Sequence, residues 1–200
     1  MDEETKKERF TAVILAGGKS TRFSGKIKAK ITIRGEPIIE HTIRTLRFIF
    51  NDILVITNNP SEFNEYKHIR MAGDIYHNIG PLGGLHSALH NTHKEAIFMV
   101  ASDMPELSVD LINNQLLEYI DHECDVLIPE MQGRIEPLHG VYSRNLLPQL
   151  ENYLQTNDKY AIRDFLQNQR VKYFSVKNID KQNVFININS QEDLNRYFKL

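Results

Sequence analysis

Three short apolar runs constrain the fold of this chain more than any other feature. Residues 10–15 read FTAVIL, 53–57 read ILVIT and 96–101 read AIFMVA. None of them alternates cleanly between apolar and polar positions. A strand that is apolar almost throughout is buried on both faces, as in a parallel sheet covered by helices on each side. Each run stops in turn-forming residues: Gly17-Gly18, Asn58-Asn59-Pro60 and Ser102-Asp103-Met104-Pro105. The stretches between them carry helical periodicity. Pro37 opens a helix to about Phe50, with Ile38, Ile39, Thr42, Ile43 and Leu46 on one stripe. A weaker helix is expected near 61–66 and a strand near 69–72. The Gly80–Gly84 turn leads into a helix ending near Asn91, and Ser108 caps another that runs to about Ile120.

The rhythm changes after a strand at 125–128. Short strands are expected near Ile135 and 140–142, then helices at 144–154 and 159–168, then strands at 171–175 and 184–188. Ser190 to Asp193 reads as a capping box on a terminal helix. Strands alternating with helices predict an α/β fold, a doubly wound and mostly parallel sheet with helices on both faces. Some antiparallel strands are expected in the second half. The expected organisation is one domain over 10–200 behind a disordered tail at 1–9.

Composition narrows the function. A net charge of −2 over 200 residues argues against a general nucleic-acid binder. No run of about 18 apolar residues is present, so no membrane span is expected. The single cysteine, Cys124, excludes a disulfide within the chain and a cysteine-rich zinc site. The polar start MDEETKKERF is no secretory signal, and a cytoplasmic setting is expected. A monomer is expected, since no long apolar heptad is visible.

Chemistry concentrates after the first strand. Leu15, Ala16, Gly17 and Gly18 let the main chain approach a ligand closely and offer it N–H donors. From Ala16 to Gly35 there are six cations and no acid: Lys19, Arg22, Lys26, Lys28, Lys30 and Arg34. Such an excess in an acidic chain matches a polyphosphate, which Arg forks and Lys neutralises. The alternative is a solvated basic loop. The Walker loop is excluded, because Val13 stands where its first glycine belongs, and the dinucleotide fingerprint fails on spacing.

Asp103 follows the AIFMVA strand and should stand at its carboxyl end. Open α/β sheets bind ligands at that edge. A carboxylate there, facing a basic loop, is what a Mg-nucleotide requires. The alternative is a turn cap beside Pro105. Asn58 follows a strand on the same rim. Asp74 could meet a base or ribose, or be a solvated acid. Gly80, Pro81 and Gly83 could lie against a base, or form only a tight turn. The eight histidines show no metal-ligand spacing, and Cys124 is expected only to pack.

Taken together, the strand, LAGGKSTRF, Lys28, GPLGGL and SDMP resemble the MobA-type nucleotidyltransferases, nearest to their molybdenum cofactor guanylyltransferases. In the second half the resemblance rests on Glu136-Pro137 and on the NINSQEDL ending at 187–194. It implies a Rossmann-like nucleotidyltransferase fold. It also implies nucleotide-binding roles for Leu15, Ala16, Gly17, Gly18, Arg22, Lys28, Asn58, Asp74, Gly80, Pro81, Gly83 and Asp103. Within that set Arg22, Lys28 and Asp103 are implied as catalytic, and Asp103 as the Mg²⁺ ligand. Asn187 and Asn189 are implied on the pterin side. Ile27 stands where the family usually has an Asp before its lysine, and Lys26 and Lys30 flank Lys28.

The implied reaction joins GMP from GTP to the terminal phosphate of molybdopterin, releasing pyrophosphate with Mg²⁺ as cofactor. The implied partners are GTP and molybdopterin, with transient contact to other molybdenum cofactor enzymes. Alternatives are a relative that uses CTP on the same or another phosphorylated acceptor, a silent nucleotide-binding protein, and a scaffold.

Overall fold

The computed structural model describes residues 8–17, 28–176 and 184–198. A central sheet runs in the order β10-β7-β9-β6-β1-β4-β5. These strands are β1 (Phe10–Leu15), β4 (Ile53–Ile56), β5 (Arg70–Ala72), β6 (Ala96–Ala101), β7 (Val126–Met131), β9 (His139–Ser143) and β10 (Val171–Ser175). β1 lies between β4 and β6 and is parallel to both, and β5 continues in parallel beyond β4. β9 is antiparallel to β6 and β7, and β8 (Arg134–Ile135) folds back on β7. Within the central sheet the antiparallel strands therefore fall in the second half, as expected. A separate hairpin pairs β2 (Thr32–Ile33) with β3 (Glu36–Pro37). Its turn places Arg34 and Gly35 at positive φ, the pairing of left-handed residues a two-residue hairpin demands.

The apolar runs are buried on both faces because helices cover both faces. Phe10, Ala12 and Ile14 of β1, with Ala96, Phe98 and Val100 of β6, pack under α1 (Ile38–Arg47) and α3 (Val109–Asp121). Val13, Ile97 and Met99 point to the opposite face. There they meet α2 (Pro81–Asn91), α4 (Leu147–Thr156) and α5 (Ile162–Leu166). This is the period-two alternation of a strand expressed between two helical layers. α1 buries the whole predicted stripe, from Ile38 through Leu46. Ser108 caps α3 by accepting the Leu111 N–H.

Four expectations need correction. Arg9, expected in the tail, is instead held to the folded body, where it donates twice to Glu95 at 2.9 and 2.7 Å. The weak helix after β4 is only a 3₁₀ turn, Pro60–Phe63. The Gly80–Gly84 segment is mostly helix, since α2 begins at Pro81. Residues 184–188 form no strand; they run as a strap whose Ile188 N–H donates to Asp103 O, just beyond the end of β6, at 2.9 Å. The strap leads into α6 (Gln191–Phe198), where Ser190 Oγ accepts the Asp193 N–H.

Candidate active site

β1 connects outward to β4 and β5, and the chain then crosses back to place β6 on the other side of β1. The crevice between β1 and β6 is thus the point where the winding reverses. Open α/β sheets bind ligands there, beyond the carboxyl ends of the strands. Ala16 and Gly17 leave β1 at this point, and Ser102 and Asp103 leave β6. Their main chains are tied together, with Ser102 N–H donating to Leu15 O at 3.1 Å and Ala16 N–H to Ile56 O at 2.9 Å. Gly17 is exposed, and among the described residues nothing lies within 4 Å of where its Cβ would stand. A glycine there lets a ligand approach the main chain closely.

The neighbouring strand ends complete the β1 side of the rim. Asn58 follows β4 and Asp74 follows β5. Asn58 Nδ2 donates to Asp74 Oδ2 at 2.8 Å, and Asp74 N–H donates back to Asn58 Oδ1 at 2.9 Å. The two residues form a closed pair at the exposed edge. Ser87, buried in α2, accepts the Ile75 N–H at 2.8 Å and fixes the segment after Asp74. Ile75 itself is an exposed apolar side chain beside this pair.

Gly80 caps α2 at φ +68° and ψ −152°, a conformation open in practice only to glycine. Gly83 serves packing, since a Cβ there would stand 2.6 Å from Tyr76 O. It lets the 76–79 segment lie flat on α2.

Asp103 occupies the centre of the rim. On its far side, toward β9 and β7, lies Glu136, a residue to which the sequence reading gave no role. Burial pushes its carboxyl up, the charge of Asp103 pushes the same way, and the Leu138 N–H and Arg163 oppose them. Its only sequence signal is Glu136-Pro137 after the Gln132-Gly133 turn. Asn187 and Asn189 come in on the strap, and Asn187 Oδ1 is buried with no hydrogen-bond partner among the described residues.

Gly18 and Arg22 lie outside the described residues, as do Lys19 and Lys26. Of Lys28 only the main chain is described, in the 3₁₀ turn Lys28–Lys30. Lys30 is engaged elsewhere: its ammonium lies 3.1 Å from Glu65, 3.8 Å from Glu62 and over the Phe63 ring.

The described residues hold no group of three or more His, Cys, Asp or Glu suited to a metal. At the centre of the rim the oxygen donor is the Asp103 carboxylate. That suits Mg²⁺, which is usually held by one or two carboxylates together with substrate phosphates.

Glycine-lined strand ends, a central carboxylate and a locked amide–carboxylate pair thus meet at one switch point of a doubly wound sheet. The MobA-like NTP transferase domain family matches residues 12–173. The chain belongs to this family and is a nucleotidyltransferase. It is 32% identical over 187 residues to a probable molybdenum cofactor guanylyltransferase of Clostridium perfringens, covering 94% of this chain and 89% of that one. It is 30% identical over 191 residues to a molybdenum cofactor guanylyltransferase of Photobacterium profundum, covering 95% and 96%. In structure it is similar to molybdopterin-guanine dinucleotide biosynthesis protein A of Archaeoglobus fulgidus, with TM-score 0.79, 24% identity and coverage of 94% and 97%. A CMP:2-keto-3-deoxy-manno-octonic acid synthetase shares the fold at TM-score 0.73 and 15% identity, with coverage of 96% and 97%. Among the described residues no helix is long and apolar enough to cross a membrane.

Proposed function

We propose that this nucleotidyltransferase acts in molybdenum cofactor biosynthesis and transfers GMP from GTP to the terminal phosphate of molybdopterin, releasing pyrophosphate. The observation that carries this reading is the arrangement of Ala16, Gly17, Asn58, Asp74 and Asp103 around one switch point. Near-full-length relatives named as molybdenum cofactor guanylyltransferases support the choice of substrates. In the reaction an oxygen of the acceptor phosphate bonds to the α-phosphorus of GTP. The bond from that phosphorus to the bridging oxygen breaks, and pyrophosphate leaves with the electron pair.

The acceptor is a phosphate monoester with a second pKa of about 6, so it is mostly dianionic at neutral pH and needs no strong base. The difficulty is bringing one anion onto another. Mg²⁺ on Asp103 would neutralise charge on the triphosphate and on the departing pyrophosphate. The Ala16–Gly17 main chain would receive the nucleotide, with Gly18 and the cations Arg22 and Lys28 on its phosphates. The Asp74 carboxylate, held by Asn58, is an acceptor suited to the N1–H and 2-amino edge of guanine. Ile75, with Gly80, Pro81 and Gly83 behind it, would offer an apolar surface to the base. Asn187 and Asn189 would meet the pterin side. The protein is proposed to work as a cytoplasmic monomer on small molecules, without nucleic acid or membrane, meeting other molybdenum cofactor enzymes only transiently.

The test is pyrophosphate release with Mg²⁺, molybdopterin and each nucleoside triphosphate in turn. GTP is expected to support release, and removing Mg²⁺ to abolish it. Release with CTP alone would move the function to cytidylyl transfer, a chemistry the fold also serves in the octonic acid synthetase. Nucleotide binding without release would leave a silent binder.

A further inference from the structure

The strap 184–190 touches both halves of the site. Ile186 and Ile188 pack into a small apolar cluster with Ile31 and Ile33 of the hairpin segment, Ile38 of α1, and Leu194 and Phe198 of α6. Ile31 directly follows the turn that carries Lys28. The main chain of the same Ile188 donates to Asp103 O at 2.9 Å. One residue therefore ties the Lys28 segment to the loop of the central carboxylate.

Two further contacts run in parallel with it. Arg34, at the hairpin tip, lies 3.6 Å from Glu106 of the Asp103 loop and over the Phe198 ring of α6. At the other end of the strap, Phe185 meets the His139 ring edge-on at 5.2 Å, and His139 meets Phe98 of β6 in the same way at 5.1 Å. Ile186 and Ile188 both pack into the cluster, whereas Asn187 between them has a buried Oδ1 with no hydrogen-bond partner among the described residues. Asn189 is held by its own N–H, which donates to Asp193 Oδ2 at 2.8 Å.

We infer that Ile188 is a positioning residue, whose buried side chain and main-chain bond to Asp103 set the acceptor-side asparagines in register with the central carboxylate. The inference rests on the proposed reaction and adds a role for a residue that touches neither substrate. Transfer requires the acceptor oxygen to be aimed at the α-phosphorus, and a misplacement near 1 Å can cost about a hundredfold in rate. The nucleotide-side groups Ala16, Gly17, Asn58 and Asp74 follow β1, β4 and β5, whereas the strap's contacts run to the Asp103 loop and the segment after Lys28. Loosening the strap should therefore cost acceptor use more than nucleotide binding, of which only the Asp103 and Lys28 contacts depend on it.

The experiment compares Ile188→Ala and Ile188→Val with the unaltered protein. It reads Mg·GTP affinity without acceptor, then kcat and KM for molybdopterin. Ile188→Ala is expected to lower kcat/KM for the acceptor by about tenfold or more while changing nucleotide affinity less than about threefold. Ile188→Val is expected to recover most of the loss. Combining Ile188→Ala with Asn187→Ala should cost less than the product of the two single effects.

Unchanged acceptor kinetics in a folded Ile188→Ala protein would overturn the inference. So would an equal loss of GTP affinity and acceptor use. If Ile188→Ala does not fold, Ile188→Val supplies the same comparison with a smaller expected effect. Failure of the unaltered protein to release pyrophosphate with any acceptor would instead remove the reading of function on which the inference depends.

Discussion

Single residues decide the chemistry, and Asp103 is the first to change. It leaves a fully buried strand, and its backbone carbonyl is bonded to Ile188. Asp103→Asn keeps shape and volume but removes the charge that would hold Mg²⁺. Turnover is expected to fall by about 10²–10³-fold with the fold intact, in the range seen when one electrostatic stabiliser is removed. Steady-state kinetics with a Mg²⁺ titration, beside a circular dichroism melt, checks both halves of that statement. The lysines make a second case. Lys30 already serves Glu65, Glu62 and Phe63, and a partly exposed pair of this kind is worth about 0–1 kcal/mol. Lys30→Ala should leave turnover near normal, whereas Lys28→Ala should be severe; the reverse ranking would shift the proposed phosphate lysine by two residues. Asp103 was legible in the sequence because a strand of six apolar residues points to whatever follows it. Glu136 and Ile188 were not, because what sets them apart is their approach to Asp103, which lies 33 and 85 positions away in the chain.

At the scale of elements, the glycines of α2 separate two kinds of constraint. Gly80 is needed for its backbone angles and Gly83 for its missing side chain. A Cβ at Gly83 would meet Tyr76 O at 2.6 Å and Ile79 Cγ1 at 2.9 Å, and neither main chain nor a half-buried branched side chain yields cheaply. Gly83→Ala is expected to destabilise by about 1–3 kcal/mol, as overpacking does. It should also weaken nucleotide binding, because the displaced segment begins just after Asp74 and Ile75. Urea unfolding and nucleotide titration read the two effects; a Gly83→Ala protein of normal stability would show that the 76–79 segment gives way freely. The sequence marked this stretch as glycine-rich but assigned it to a turn, since Pro81 reads equally as a turn residue and as the first residue of a helix. The sheet strands were legible because their apolar character at nearly every position has one structural explanation. Residues 184–188 carry the same kind of apolar pattern without being a strand. Their apolar side chains answer to the hairpin and α6, and periodicity does not name the surface a segment covers.

The molecule as a whole hides histidines in both of its cores, and that sets its response to acid. His139 is fully buried on the α3 face between Phe98 and Phe185, and both ring nitrogens lack a partner among the described residues. Burial pushes its pKa down to about 4 from the ordinary 6.5. His86 is buried between α2 and α4, and burial again pushes it down, partly offset by Glu151. A histidine depressed in the folded state takes up its proton more readily when unfolded. The unfolded chain therefore gains protons as pH falls below about 6.5, and folding stability falls with it. For His139 the loss runs from 6.5 down to about 4, where the folded ring also protonates, with a slope of at most about 1.4 kcal/mol per pH unit. Glu136 works in the opposite sense: its carboxyl is raised, so it favours the folded state increasingly as pH falls toward its ordinary value. Two histidines against one carboxyl leave a net loss on the acid side. The urea midpoint is expected to hold near pH 7 and decline between pH 6.5 and 5. Replacing His139 by leucine should flatten that decline while leaving the plateau largely in place. Identical slopes for the two proteins would mean that His139 takes up a proton inside the folded molecule. The contact of Phe185 with a neutral ring would then have to be replaced by another account of how the strap is held.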